Sequence, residues 1–394
     1  MKKKFFFYSS LVFYILLLGV LFYFTFVRDN AEKHDKIGAV QEVPQTTTSA
    51  KAEVCTQKNV LEFYYYAHDY PLWEPNNKYG MYIYPENESF FEIAQNLVNS
   101  SGGDWGYVLI PYNMADRDYD KWNRVFEQLR NKHLIPIIQL WDVNLDKYKK
   151  QTQEAANFLN SFLWPIKYRY ISVYNEPNDS SFWYGKTDPA EYAKVLNYSI
   201  EIFKGENPDY FMLNGALNTS APSDGKHIDA LEFMYQMNQE VPGIFDKLDG
   251  WASHPYPQPN FSGSPTARGR WSIRAYEDEL EYLTSSLGVK KTLPVFITET
   301  GWAHAEGENY NGSYPSVETV SEYFKTAYKD VWLSDDRVRA VIPFTIWYQP
   351  PFDHFSWINR DRVPYLHYEV IKKLNKIKGN PPVIKSDEYV VSGC

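Results

Sequence analysis

The stretch Tyr168-Arg-Tyr-Ile-Ser-Val-Tyr-Asn-Glu-Pro-Asn178 indicates both a strand of the fold and a functional group at its end. Tyr170 to Tyr174 is a short run rich in β-branched and aromatic residues, which is typical of a buried strand. Proline cannot donate to a sheet ladder, and it favours an extended conformation in the residue before it. We therefore predict that Glu176 holds the last extended position of this strand, with its carboxyl group at the carboxyl-terminal edge of the sheet.

A second stretch, Leu293-Pro-Val-Phe-Ile-Thr-Glu-Thr-Gly-Trp302, has the same design and delivers Glu299 to the end of a strand. Either stretch alone could be a strand that ends in a charged residue and a turn. Two apolar strands that each end in a glutamate favour a site built on paired carboxylates.

Strand-like and helical patterns alternate eight times along the chain, and Pro189 after Asp188 is typical of a helix start. Eight strand–helix pairs predict an α/β fold, a single (β/α)8 TIM barrel. A doubly wound open sheet is the competing interpretation, although no glycine-rich phosphate loop follows the first strand. The predicted strands are Tyr79–Tyr84, Trp105–Tyr112, Leu134–Leu140, Tyr168–Tyr174, Tyr210–Ala216, Leu248–His254, Leu293–Thr298 and Val338–Trp347.

The N-terminal part of the chain predicts a membrane anchor. Three lysines precede Phe5 to Val27, a run of 23 residues without charge, which is about 35 Å long as a helix and spans a bilayer core. A cleaved signal peptide is the alternative, but the run is long and lacks an Ala-x-Ala-like end. The lysines place the N-terminus inside, so the barrel is expected outside the cell membrane on a single-pass anchor. We predict the anchor over 1–28, a disordered tether over 29–58 and the barrel over 59–394.

Composition and cysteines narrow the function classes. A net charge of −9 argues against a nucleic-acid surface. Aromatic residues make up 18% of the chain, which suits either core packing or a carbohydrate cleft. Cys55 and Cys394 can form a disulfide or remain free thiols. No spacing of histidines or cysteines indicates a metal site, so no metal or cofactor is expected. The protein is expected to be a monomer.

Amide, aromatic and acidic side chains dominate the predicted strand ends, where a TIM barrel builds its functional site. Such a cleft suits an uncharged, polyhydroxylated ligand, because phosphate groups would require Arg, Lys or a glycine loop. Two carboxylates can act on such a ligand if one is protonated and the other ionised. Each negative charge raises the pKa of its neighbour, so a close pair divides these two roles.

These motifs resemble the clan A glycoside hydrolases, with the closest likeness to the β-xylosidase and iduronidase group or to the cellulase-like families. The resemblance rests on Asn175-Glu176-Pro177 at the fourth strand and Glu299 at the seventh. It implies a retaining enzyme with Glu176 as acid/base, Glu299 as nucleophile and Asn175 at the sugar 2-hydroxyl. It also implies that His254 or Tyr256 contacts the nucleophile and that Trp347 forms a sugar platform. The alternatives are a structural role for His254 and a place in the core at the barrel mouth for Trp347.

Several positions remain open. Trp302 follows Glu299 by three residues and is predicted either to contact substrate or to belong to the core. Many cellulase-like members place an arginine at the end of strand 2, near the nucleophile, but here Arg117 lies beyond that end. Strand 3 carries Gln139 where clan members usually place His or Asn. A non-catalytic carbohydrate-binding barrel and a barrel enzyme using carboxylates for metal or proton transfer are the alternatives.

Overall fold

The computed structural model describes residues 76–384, which contain eight parallel strands and eight α-helices in alternation. The strands are β1 Gly80–Tyr82, β2 Gly106–Asn113, β3 Leu134–Trp141, β4 Arg169–Val173, β5 Tyr210–Asn214, β6 Trp251–Ser253, β7 Val295–Ile297 and β8 Val338–Val341. The helices are α1 Ser89–Val98, α2 Tyr119–Asn131, α3 Tyr148–Asn160, α4 Pro189–Glu206, α5 Ala230–Glu240, α6 Ala275–Ser285, α7 Val317–Ala327 and α8 Leu366–Lys372.

The strands close into a barrel. β1 to β5 form one parallel sheet and β6 to β8 another. A parallel bridge between Leu213 and Gly250 joins β5 to β6, and one between Tyr79 and Val341 joins β8 to β1. A Cβ atom at Gly250 would lie 2.8 Å from the side chain of Leu213 and 2.9 Å from that of Phe296, so a larger residue here would have to displace these core side chains. The predicted (β/α)8 barrel is therefore confirmed, and the open doubly wound sheet is excluded.

Aromatic side chains fill the inside of the barrel. Successive residues of a strand point to opposite faces, and the inward positions of β2, β4, β5 and β7 bring together Tyr107, Tyr170, Phe211 and Phe296. The ring centroid of Tyr170 lies 5.0 Å from that of Phe211 and 5.2 Å from that of Phe296. This packed interior leaves the carboxyl-terminal mouth as the place for a site.

Helix α4 begins where the sequence indicated, and the helices bury their apolar faces. Asp188 caps α4 by accepting a 2.9 Å hydrogen bond from the amide of Glu191, and Pro189 occupies the first turn. In α2, Trp122 and Phe126 are buried on one face, as their helical spacing predicts.

Strand β8 is shorter than predicted, because it ends at Val341 rather than at Trp347. Pro343 has no amide hydrogen to continue the ladder. Beyond Val341 the amide of Ile342 still donates to the carbonyl of Ile297 at 2.9 Å, and the amide of Tyr82 donates to the carbonyl of Pro343 at 3.3 Å. The chain therefore stays beside β7 and β1 before it enters the loops at the barrel mouth.

The predicted anchor, the tether and both cysteines lie outside the described residues, so they stay predictions. Within residues 76–384, none of the helices combines the length and the apolarity needed to cross a bilayer.

Candidate active site

Glu176 reaches the barrel mouth from a strained turn. β4 ends at Val173, and Tyr174 and Glu176 adopt positive φ angles of 72° and 36°. Each such residue costs about 1–3 kcal/mol and is usually found at functional sites. The amide of Glu176 donates to the carbonyl of Ala216 at 2.9 Å. The prediction that Glu176 is the last extended residue of its strand is thus wrong, because the backbone turns to the left-handed region after Val173.

Glu299 approaches from the other side of the mouth. It lies two residues beyond the last residue of β7, Ile297, and its side chain is 12% exposed. The hydroxyl of Tyr256, which follows β6, donates a hydrogen bond of 3.0 Å to Oε2 of Glu299. The side chain of Glu176 is 11% exposed. Both carboxyl groups are therefore largely buried at the same end of the barrel.

The ring of His254 connects the two glutamates. Its Nδ1 lies 3.0 Å from Oε1 of Glu176 and 3.8 Å from Oε2 of Glu299. These two oxygens are therefore at most about 6.8 Å apart, the sum of the two distances to the shared nitrogen. The side chain is fully buried, and Nε2 has no hydrogen-bond partner among residues 76–384. The polar contacts of the ring are directed at the two carboxylates.

The burial and the charges of the site shift its acid–base equilibria. Burial raises the pKa of Glu299 to about 7, and the charge of Glu176 raises it too, whereas His254 and the Tyr256 hydroxyl lower it. Burial alone would lower the pKa of His254, but the charges of Glu299 and Glu176 outweigh it and raise that pKa. A site of this kind can hold and release a proton near neutral pH.

His254 is the basic side chain that faces this carboxylate pair. Among the described residues, no lysine or arginine forms an ion pair with Glu176 or Glu299. Arg117, the arginine beyond strand 2, instead donates to the hydroxyl of Tyr112 at 2.6 Å. The protonation of His254 therefore controls how well the two negative charges are tolerated in this buried place.

Asn175 is held by a chain of hydrogen bonds across the barrel. Nε2 of Gln139 on β3 donates to Oδ1 of Asn175 at 3.1 Å, and the hydroxyl of Tyr82 donates to Oε1 of Gln139 at 3.3 Å. This chain occupies the amide oxygen of Asn175. Its amide nitrogen is thereby the group that can donate to a ligand.

Tyr82 and Tyr84 were missed by the sequence analysis as site residues. The rings of Tyr84 and Tyr348 lie 5.6 Å apart. Burial raises the pKa of Tyr84, with further contributions from Tyr82, Tyr348 and the charge of Glu299. The signal was present, because alternate tyrosines at the end of the first strand point to the same face.

The two tryptophans predicted at the site have different environments. Trp347 is partly exposed in the loop after β8, at the mouth. Trp302 is 1% exposed, and its ring packs 4.9 Å from that of Phe324 on α7. Gly301, with a φ of 146°, turns the chain away from the cleft. The prediction that Trp302 contacts substrate is therefore wrong, and its alternative as a core residue holds.

A third buried carboxyl group lies behind β6. Glu279 on α6 accepts hydrogen bonds from the hydroxyl of Ser253 and, at 3.1 Å, from the indole nitrogen of Trp251. Burial raises the pKa of Glu279 to about 7. No group of three or more His, Cys, Asp or Glu side chains in residues 76–384 is arranged to hold a metal ion.

Several solved structures of other proteins share the fold of this barrel. A glucosidase from Croceicoccus marinus superposes with a TM-score of 0.53 at 11% identity, over 76% of this chain and 68% of its own. An endo-β-1,3-glucanase from Pseudomonas viridiflava superposes with a TM-score of 0.50 at 12% identity, over 76% of this chain and 99% of its own. A structure of fungal β-1,4-galactanases superposes with a TM-score of 0.50 at 14% identity, over 75% of this chain and 94% of its own. The fold is shared with glycoside hydrolases.

That likeness confirms, at the level of fold, the resemblance that the Asn-Glu-Pro motif and Glu299 indicated. No protein-family model matches the sequence, and neither does any curated protein. The structural likeness concerns the fold alone at these identities, so the activity has to be argued from the geometry of the site.

Proposed function

We propose that this protein is a retaining O-glycosyl hydrolase that acts on an extracellular polysaccharide or glycoconjugate. The observation that carries the proposal is the approach of Glu176 and Glu299 to one nitrogen of His254, at 3.0 and 3.8 Å. The site is buried and neutral to acidic, so it suits an uncharged sugar. The carbohydrate substrates named for proteins of the same fold support this class of ligand.

The chemistry follows from the two positions. Ionised Glu299 attacks the anomeric carbon, and the carboxyl proton of Glu176 passes to the departing glycosidic oxygen. Glu176, now ionised, removes a proton from water, and the resulting hydroxide displaces Glu299 from the glycosyl-enzyme ester. The sugar leaves with its original anomeric configuration, and both glutamates return to their starting states.

The surrounding residues support these two steps. Tyr256 donates to Glu299 at 3.0 Å and so favours its ionised form. Asn175, oriented by Gln139, donates from its amide nitrogen to the sugar 2-hydroxyl. Trp347, partly exposed at the mouth, offers a ring face to the sugar that is cleaved.

Retention is supported by the separation of the carboxyl groups. Retaining enzymes keep them about 5–5.5 Å apart, whereas inverting enzymes need about 6.5–9.5 Å to admit a water molecule. The upper limit of about 6.8 Å between one pair of oxygens is compatible with the first range.

Turnover measurements test the proposal. A panel of aryl β-glycosides and of β-1,3-glucan, β-1,4-galactan, β-1,4-mannan and β-1,4-glucan identifies the substrate, and proton NMR of the first product gives its anomeric configuration. Glu299→Ala should abolish turnover, whereas Glu176→Ala should spare substrates with good leaving groups, which need no proton. Exposed Glu281 on α6 supplies the control, Glu281→Gln, which should behave as wild type.

Two results would contradict the proposal. Equal losses of Glu176→Ala on good and poor leaving groups would remove Glu176 as the acid. Binding of a polysaccharide without any turnover would favour a non-catalytic carbohydrate-binding barrel.

We also propose that residues 5–27 anchor the protein in the cell membrane, with the barrel on the outside. The support is the uncharged run of 23 residues after three lysines. Full-length protein should sediment with membranes, and a form starting at Lys51 should stay in the supernatant. Mature protein lacking residues 1–27 in the culture medium would show cleavage instead.

A further inference from the structure

Exposed aromatic rings are concentrated at the barrel mouth. Trp271 and Tyr310 are 67% and 76% exposed, and Phe182 and Tyr184 are 37% and 46% exposed. All four lie in loops that follow strands: Phe182 and Tyr184 after β4, Trp271 after β6 and Tyr310 after β7. Clustered apolar surface of this kind usually marks a place where something binds.

Trp141, Phe182 and Tyr184 form the first aromatic group. Trp141 is the last residue of β3 and lies two positions beyond Gln139, so both side chains are on the inward face of the strand. Its ring is partly exposed and lies 6.1 Å from that of Phe182. The group therefore borders the same mouth as the chain that ends at Asn175.

The loop that carries Phe182 and Tyr184 is held rigidly. Between them, Trp183 is fully buried, and its ring lies 5.2 Å from that of Tyr192 on α4. The indole nitrogen of Trp183 donates to Glu191 at 3.1 Å. The two neighbouring rings are thus presented to solvent by a fixed backbone, which lowers the entropy cost of binding a ligand.

A cavity of about 600 Å³ lies next to the first group. Its walls include Tyr184 together with the polar side chains of Asp142, Asn144 and Gln151. The lysine on its rim, Lys186, is paired with Glu191 at 2.8 Å. Hydrogen-bonding groups beside an aromatic ring suit sugar hydroxyls and a sugar face, and the volume is typical of ligand sites.

Trp271 and Tyr310, the exposed aromatic residues of the loops after β6 and β7, are called the second aromatic group. The carbonyl of Trp271 accepts a 2.8 Å hydrogen bond from the amide of Gln258, two residues beyond Tyr256. The loop of Tyr310 is tied to the loop after β8, because the amide of Glu308 donates to Asp353 at 2.6 Å. The second group is therefore attached to the side of the mouth that carries Glu299.

The two groups stand on different sides of the catalytic pair. The first follows β3 and β4, which deliver Asn175 and Glu176, and the second follows β6 and β7, which deliver Tyr256 and Glu299. We infer that the enzyme is endo-acting, which means that it cuts within a chain rather than at its end; this inference rests on the proposed hydrolase function. A linear, uncharged polysaccharide lies across the mouth, stacks on both aromatic groups and is cut between them, whereas an enzyme that trims chain ends needs a platform on one side only.

The test uses the full-length protein on the four linear polysaccharides named above and on their oligosaccharides of increasing length. We expect the viscosity of the hydrolysed polymer to fall before many reducing ends appear, and kcat/KM to rise with chain length. Trp271→Ala and Tyr184→Ala should each reduce kcat/KM on long chains by about three- to tenfold, since an aromatic contact contributes that much. Tyr235 is 48% exposed and lies within helix α5 rather than in a loop that follows a strand, so Tyr235→Ala is the matched control.

Three outcomes would overturn the inference. One is release of single sugars or dimers from chain ends with little loss of viscosity. Another is equal behaviour of Trp271→Ala, Tyr184→Ala and Tyr235→Ala on long chains. The third is absence of turnover on every polysaccharide and oligosaccharide tested. Affinity electrophoresis of Glu299→Gln in each polymer then separates the causes. Retardation that depends on Trp271 and Tyr184 means that the hydrolase proposal failed, whereas lack of retardation means that the aromatic groups bind no such chain.

Discussion

The hydroxyl of Tyr256 donates a 3.0 Å hydrogen bond to the same oxygen of Glu299 that lies 3.8 Å from Nδ1 of His254. Both contacts come from the segment directly after β6, so one short piece of chain governs the charge of Glu299. Burial and, to a smaller extent, the charge of Glu176 act in the opposite direction, so that the pKa of Glu299 is raised to about 7. The site is balanced between these influences, and its pH dependence can be predicted.

Tyr256→Phe should shift the activity towards higher pH. The hydrogen bond lowers the pKa of Glu299, so its loss raises that pKa, and the ionised nucleophile becomes scarcer on the acidic side. A hydrogen bond to a charged group contributes about 1.5–3 kcal/mol, which corresponds to roughly ten- to hundredfold in kcat/KM below the pKa. The pH profile of kcat/KM measures it, with Tyr235→Phe as control. An unchanged acidic limb would mean that the hydroxyl does not act on Glu299.

Glu176→Gln should shift the acidic limb in the opposite direction. In the wild type the two carboxyl groups compete for one proton, because ionised Glu176 raises the pKa of Glu299, and turnover requires that proton to be on Glu176. A neutral amide at position 176 removes this competition, so Glu299 loses its proton at lower pH than it does beside ionised Glu176. The measurement requires an aryl glycoside with a good leaving group, because the variant cannot donate a proton. If the acidic limb of the kcat/KM profile stayed at the same pH as in the wild type, the two carboxyl groups would not be electrostatically linked. Glu281→Gln should leave the profile unchanged.

Glu279→Gln should flatten the dependence of stability on pH. Burial raises the pKa of Glu279 from 4.5 to about 7, so the folded state binds a proton that the unfolded state has already released. The wild type therefore gains stability as pH falls from about 7 to 4.5, by up to about 3 kcal/mol for this group. The difference in free energy of unfolding between variant and wild type, measured in urea at pH 5 and pH 8, should favour the variant more at pH 8. A constant difference would contradict the shift.

Trp302→Ala and Trp347→Ala should separate stability from activity. Trp302 is 1% exposed, and removing a buried tryptophan costs about 3–5 kcal/mol. Trp347 is partly exposed at the mouth and packs against the core with the rest of its surface, so its loss should cost less stability than that of Trp302 while lowering kcat/KM. Urea unfolding together with kinetics on the identified substrate distinguishes them. If Trp347→Ala were the more destabilising variant, Trp347 would belong to the core.

Local patterns determined which elements form and where the two carboxylates stand in the chain. The run from Tyr170 to Tyr174 is apolar at both faces, as a strand buried between helices requires. Asp188 accepts a hydrogen bond from an amide in the first turn of α4, and Pro189 already has the backbone angle that a helix start requires. These effects act between residues that are close in sequence, so they could be predicted from the sequence, and so could the presence of a glutamate just after strands 4 and 7.

Only the tertiary structure decided what surrounds those glutamates. The contact of His254 with both of them depends on the closure of the barrel between β5 and β6 and on the turn that gives Glu176 a positive φ. The burial of Trp302 depends on where α7 packs. Contacts between residues far apart in the chain, and the pKa values that burial creates, arise from packing and do not follow from a local pattern.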